Sequence, residues 1–311
     1  MPPAQHVPSD FFASRAFPQM GLTWDYPVVR HGDPFDLMIQ PTVATFIGPN
    51  GGNTHRIPNE DSLGYQFRDT DLFRADRLQG YDLLDTGQRV DYGLHLGAYD
   101  KNGGSYRMLI GQSYRAEPNP FVPPGSGMDQ RLSDVVGRVV LAPSSYLDLI
   151  YRFRLDKESL ANRGQELALG AGPANLRFGA SFLLIPAEQP GQLITVPGSG
   201  NTILYGKREQ LTVGLNAKLT RYWSLSAGET INLTNASNIV NGVVTPQANS
   251  TALQTSLSAI YQDECMAFIA TGSQSAIRNG DVTPGYTVMF SILFKNIGEI
   301  GGNLLSVSPG Q

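Results

Sequence analysis

Apolar side chains recur at every second residue through most of this 311-residue chain. Nowhere do they run for the roughly 18 consecutive positions that a membrane-crossing helix needs. Alternation of period two is the mark of a strand whose two faces meet different surroundings. In residues 208–220, Leu211, Val213, Leu215, Ala217 and Leu219 fall on one face, and Thr212, Gly214, Asn216, Lys218 and Thr220 on the other. From residue 147, Leu147, Leu149, Tyr151, Phe153 and Leu155 oppose Asp148, Ile150, Arg152, Arg154 and Asp156. From residue 90, Val90, Tyr92, Leu94, Leu96 and Ala98 oppose Asp91, Gly93, His95, Gly97 and Tyr99. Looser versions lie at 106–115, 176–184, 253–261 and 286–294, with further strand candidates at 20–29, 37–47, 63–67, 133–141, 165–171, 223–233 and 265–271. Together they predict about a dozen strands. Glu229 breaks the pattern, sitting on the apolar face of Trp223, Leu225 and Ala227.

The connections fit antiparallel hairpins. Ala142-Pro143-Ser144-Ser145 and Ala171-Gly172-Pro173-Ala174 are tight, whereas 117–130, 189–207 and 235–250 are long and polar. Short and long connections alternate, as turns and surface loops do at the two rims of a membrane barrel. A soluble β-sandwich also alternates, so the polar face decides between them. Here it favours Arg, Asp, Gly, Ser and Thr over Lys and Glu. Aromatic residues gather near strand ends (Tyr114, Tyr146, Tyr151, Tyr222, Trp223, Tyr261, Tyr286), where a membrane interface would hold them. Charged residues make up 16% of the chain, against about 25% in an average soluble protein. The expected fold is all-β: an antiparallel transmembrane outer-membrane β-barrel of about a dozen strands. The expected domain limits are a lead-in over 1–17, the barrel over 18–295 and a tail over 296–311.

The function classes that remain are narrow. A net charge of −4 gives no reason to expect a nucleic-acid partner. His6, His31, His55 and His95 stand at no metal-ligand spacing, and Gly-x-Ser-x-Gly and the phosphate-binding loop motif are absent. No enzyme constellation, metal site or cofactor is expected. Cys265 is the one cysteine, read on its own as a small apolar strand residue. Met1 to His6 has neither the basic start nor the apolar core of an export signal. The chain is therefore expected to be a fragment or to carry a misplaced start.

A dense mixture of charge lies between residues 56 and 89. Asn59, Glu60, Asp61, Asp69, Asp71, Asp76, Asp82 and Asp85 are interspersed with Arg56, Arg68, Arg74, Arg77 and Arg89. Such a stretch either lines a lumen and ties strands together through carboxylate–guanidinium pairs, or is a solvated loop with pairs worth little. Asn59, Glu60, Asp61, Arg77, Asp82 and Arg89 are the candidates for a lumenal structural role. The face carrying Asp148, Arg152, Arg154 and Asp156 is read as a salt-bridged lumen wall.

Three segments here carry a resemblance: Pro58-Asn59-Glu60-Asp61-Ser62; then Leu72-Phe73 with Arg77-Leu78, Gly80 and Asp82; then Arg89-Val90-Asp91-Tyr92-Gly93-Leu94. In that order they resemble the LPS-assembly outer-membrane protein family (LptD), and similar segments extend from about residue 18 to about residue 298. The resemblance implies a barrel that delivers lipopolysaccharide to the outer leaflet of a Gram-negative outer membrane, with this chain a partial barrel forming the C-terminal portion of a larger one. It implies as partners lipopolysaccharide, outer-membrane lipids, a plug lipoprotein in the lumen (LptE-like) and a periplasmic jelly-roll bridge protein. It also implies lateral release at a seam beside the last strand, for which Tyr286, Val288, Phe290, Ile292 and Phe294 are the candidates, and a possible disulfide at Cys265. A general porin or channel barrel is the alternative.

Overall fold

The computed structural model describes residues 15–53, 57, 66–78, 80–122, 125–186, 192–195, 202–205, 207–234, 237–240, 243–246, 251–276, 284–295 and 298–307. Their regular structure is all strand. In chain order these are β1 (Met20–Asp25), β2 (Val28–Arg30), β3 (Phe35–Ile47), β4 (Gln88–Asp100), β5 (Ser105–Arg115), β6 (Val135–Ser144), β7 (Leu147–Leu155), β8 (Asn162–Ala171), β9 (Leu176–Ile185) and β10 (Gln192–Thr195). They continue with β11 (Thr202–Tyr205), β12 (Arg208–Lys218), β13 (Trp223–Asn232), β14 (Ser237–Val240), β15 (Val243–Pro246), β16 (Thr251–Gln262), β17 (Met266–Ser275), β18 (Gly285–Phe294) and β19 (Gly298–Val307).

Fifteen strands form one antiparallel sheet. Fourteen follow the order β1-β3-β4-β5-β6-β7-β8-β9-β12-β13-β16-β17-β18-β19, and β2 pairs with β3 beside that path. Among the described residues β1 and β19 do not pair with each other, so the sheet is open. Strands β10, β11, β14 and β15 make a separate four-stranded sheet from two long connections, β9 to β12 and β13 to β16. The turns after β4, β6, β8, β12, β16 and β18 are short and share one end of the main sheet; the long connections share the other.

Register carries the alternation from strand to strand. Leu215 lies opposite Phe178 on one side and Ala227 on the other, and Ala227 lies opposite Leu257. The apolar sets of separate strands thus merge into one face. Large side chains on it stand bare: Leu22 is 75% exposed, Trp24 54%, Ile39 52% and Leu257 54%. A continuous apolar surface of this extent is not left facing water by a monomeric soluble protein. Tyr146 and Trp223 lie at the short-turn end, and Tyr114 and Tyr286 toward the long-connection end, each exposed. That placement suits aromatic girdles at two interfaces.

The opposite face is polar and, over β3 to β8, covered. The described residues of the connections β3 to β4 and β5 to β6 fold onto it and bury Phe67, Leu72, Leu78, Leu83, Val122 and Met128 together with Val136 of β6. Each such burial contributes about 1.5–3 kcal/mol before ordering costs. Gly93 and Gly111, register partners on β4 and β5, make the approach possible. A Cβ on Gly111 would lie 2.4 Å from Leu72 Cδ2, and one on Gly93 3.0 Å from Phe73 Cζ.

Several expectations need correction. Residues 298–307 were expected within a tail but form β19, hydrogen-bonded to β18. Tyr286, Val288, Phe290, Ile292 and Phe294 therefore sit on β18, with β19 paired beyond it among the described residues. The stretches 189–207 and 235–250, expected as loops, contain the four short strands, so the count exceeds a dozen. Part of 63–67 lies outside the described residues, and Gln66 and Phe67 are not in a strand: Phe67 is a core residue, held by its N–H to the Ser126 carbonyl at 2.8 Å. Cys265 is exposed in the β16–β17 turn, not in a strand. There its N–H donates to Asp263 Oδ1 at 2.8 Å. Asp263 is a turn former whose carboxylate competes with the ladder for backbone donors, which ends β16.

Candidate functional site

On the covered face the polar positions of β4 and β5 meet the in-folded stretch 48–87, and the charges assemble into a closed cluster. Alternation brings Arg89 and Asp91 of β4, and Ser113 and Arg115 of β5, to that face; the loop supplies Arg77 and Asp85. Arg77, Arg89, Asp85 and Asp91 side chains are at most 1% exposed and Arg115 is 3% exposed.

Asp85 is the hub. Arg77 Nε donates to its Oδ2 at 2.6 Å, Arg89 Nη1 lies 2.8 Å from the same oxygen, and Arg115 Nη2 donates to Oδ1. Asp91 accepts from Arg89 Nε at 3.1 Å, from Arg77 Nη1 at 3.4 Å and from the Ser113 hydroxyl. Guanidinium donors left over reach backbone oxygens: Arg89 Nη2 donates to Ala75 O at 2.8 Å, and Arg115 Nη1 to Thr86 O at 2.7 Å. The Arg89 guanidinium carbon also stands 4.2 Å from the Phe46 ring centroid. Burial alone would raise the Asp85 carboxyl, but Arg77, Arg89 and Arg115 outweigh it and hold it well below the usual carboxylate range. Three arginines against two aspartates leave the cluster with one positive charge in excess.

A second line of pairs runs along the wall beyond it. Arg154 is buried and lies 3.4 Å from Asp134 Oδ2, donating also to Gly125 O at 2.8 Å and Gln66 Oε1 at 2.5 Å. Burial pushes Asp134 up, with Arg154 opposing. Arg152 Nη1 donates to Glu166 Oε1 at 3.1 Å, Arg68 pairs with the same carboxylate, and Arg177 pairs with Asp148. Asp156 accepts from the Ser159 N–H and hydroxyl, both at 2.8 Å, and from Arg163 at 3.0 Å, which holds it low. The face of β7 read as a salt-bridged wall has that character.

Of the predicted site residues, Arg77 and Arg89 come together in the buried cluster. Asp82 is half-buried, and its carbonyl accepts from Arg15 Nη1 at 2.7 Å. Asn59, Glu60 and Asp61 lie outside the described residues. Asp85, the hub, and Asp91 and Arg115 were not singled out as site residues. The signal for the latter two was present: each is a charge on the polar side of an alternating strand, and such positions need a partner when covered.

What this arrangement does chemically is hold and orient. In the cluster both carboxylates, Asp85 and Asp91, are held by guanidinium donors, and Asp91 also by the Ser113 hydroxyl. A family model described as LptD, LPS transport system D, matches residues 4–223. The match spans β1 to β12 and therefore the whole buried cluster. No curated protein matches the chain.

Proposed function

The chain belongs to the LptD family of outer-membrane β-barrel proteins in lipopolysaccharide transport, and on that premise we propose that it forms part of the outer-membrane lipopolysaccharide translocon. In this reading it sits in the Gram-negative outer membrane and helps insert lipopolysaccharide into the outer leaflet. The observation that carries the reading is the two-faced sheet, bare and apolar outside, polar and charged within. Lipopolysaccharide has both a phosphorylated saccharide and acyl chains. Only a wall with a hydrated face and a lipid face accommodates both.

The role extends to partners by the same argument. The inner face of β12, β13, β16 and β17 presents Thr212, Asn216, Ser224, Ser226, Ser256, Ser258 and Thr271. It is offered as the wall toward which a plug lipoprotein and the saccharide lie, with a periplasmic jelly-roll bridge delivering from the short-turn end. A lateral opening acts at the edge of β19, backed by the apolar residues Tyr286, Val288, Phe290, Ile292 and Phe294 of β18. Cys265, exposed in a short turn, is proposed as the site of a cross-link to a periplasmic segment. Arg77 and Arg89 serve as anchors of the in-folded loop, and Asp82, Asn59, Glu60 and Asp61 are proposed for the same structural role. The packed apolar core over β3 to β8 favours this reading over an open porin, which needs a continuous water path.

A photo-crosslinking residue at Ser226 or at Leu225, in growing cells, tests the role. Lipopolysaccharide adducts through Ser226 that require ongoing transport are expected. Adducts absent from Ser226, together with ohmic conductance of the purified protein, would instead favour the channel.

A further inference from the structure

One row across the inner face runs Gln40, His95, Leu109, Arg138, Arg152, Glu166, each opposite the next on the neighbouring strand. Arg138 of β6 and Arg152 of β7 are direct register partners. Like charges opposite one another on adjacent strands destabilise a sheet unless something neutral or opposite in sign stands between them. Here it is Asp69, delivered by the in-folded loop.

Asp69 fills this position poorly. Its side chain is only 1% exposed, yet its contacts to Arg138 Nε (3.5 Å) and Arg152 Nε (3.6 Å) are longer than the about 2.7–2.9 Å of a charge-assisted hydrogen bond. Asp69 Oδ2 accepts no hydrogen bond among the described residues. Burial pushes the Asp69 carboxyl up, against the pull of Arg138, Arg152 and Arg68. With Glu166 counted, three arginines face two carboxylates, so one positive charge is unmatched. Arg138 and Arg152 remain 35% and 26% exposed, so the pair is reachable from the uncovered side.

We propose that the cross-strand pair Arg138–Arg152 is a phosphate-binding site whose place Asp69 holds in this structure. Two planar guanidinium groups one strand spacing apart present convergent donors, and a tetrahedral phosphate has oxygens enough to bridge them, which the planar carboxylate does not. A phosphate entering the pair displaces Asp69. Because Arg68 next to it pairs with Glu166, the displacement loosens one of the points that hold residues 48–87 against the wall. Assigning that phosphate to a transported saccharide rests on the translocation role above; the phosphate site itself does not.

Inorganic phosphate titrated into the protein extracted from outer membranes in a non-ionic detergent tests this. Asp69→Asn tightens binding roughly tenfold by removing the competitor, and adding Arg138→Gln to it costs at least that much. Arg177→Gln, on the same face but paired elsewhere, leaves binding unchanged. In the unsubstituted protein, saturating phosphate speeds tryptic cleavage after Arg68 and Arg74, which needs no variant to fold. Equal affinity with and without Asp69, binding that survives loss of Arg138, or cleavage indifferent to phosphate each overturns the site. Glucosamine 6-phosphate separates the sources. Binding at least as tight as inorganic phosphate assigns the phosphate to a sugar, and exclusion of the sugar phosphate makes this a free-phosphate site, whatever the crosslinking at Ser226 shows.

Discussion

Arg77 Nε donates to Asp85 Oδ2 at 2.6 Å with both side chains enclosed, although neither residue belongs to a strand. The pair is how an irregular stretch between β3 and β4 is fixed to the strands beneath it, since Asp85 also holds Arg89 of β4 and Arg115 of β5. A buried ion pair adds little net stability over apolar residues of the same size, but losing one partner leaves charge stranded.

Asp85→Ala therefore leaves three buried guanidinium groups with one carboxylate, Asp91, among them, and destabilises the in-folded loop by about 3–5 kcal/mol. Urea unfolding in detergent, followed by tryptic cleavage after Arg74, reads the loss. A change below about 1 kcal/mol would mean that the cluster does not anchor the loop.

The pH dependence follows from the sign of the shift. The folded-state Asp85 carboxyl is lowered, so its contribution is fully present above the unfolded value of about 3.9 and is lost as pH falls through the lower folded value. The stability difference between the unsubstituted protein and Asp85→Asn should stay level from neutrality down to about pH 4 and shrink below it. A difference that collapses between pH 7 and 5 would place another group at the hub.

Gly111→Ala puts a Cβ 2.4 Å from Leu72 Cδ2 and 2.6 Å from the Tyr92 carbonyl. Backbone on one side leaves no room to yield, so the expected cost is about 1–3 kcal/mol. Hydrogen exchange should increase in residues 66–78 while the β7–β8 ladder is unaffected.

Leu257 of β16 is 54% exposed on the outer face, and Ser256 beside it points inward. Leu257→Arg should impair refolding into vesicles by about 2–4 kcal/mol, the cost of an arginine near the bilayer midplane, whereas Ser256→Arg should be tolerated. The pair lies beyond residue 223 and so checks the membrane wall independently of the family match.

Facing was legible from sequence and covering was not. Leu211 to Ala217 alternate because one side chain in two must meet lipid, and that constraint is local. Whether Arg138 stands opposite Arg152 depends on register, which the turn between β6 and β7 sets, with an irregularity between Leu141 and Ser144. Asp85 gave no local sign of being a hub; its role comes from which strands the loop lands on. The strand at 298–307 was missed because Gly298, Gly301 and Gly302 interrupt its pattern, and backbone pairing to β18 supplies what periodicity does not.

The most direct test is site-directed spin labelling of residues 211–217 one at a time in lipid bilayers. Collision with oxygen should peak at Leu211, Val213, Leu215 and Ala217, and collision with a water-soluble nickel chelate at Thr212, Gly214 and Asn216. Accessibility with no period of two, or a chain that stays monodisperse in detergent-free buffer and ignores lipid, would contradict a membrane wall with opposed faces.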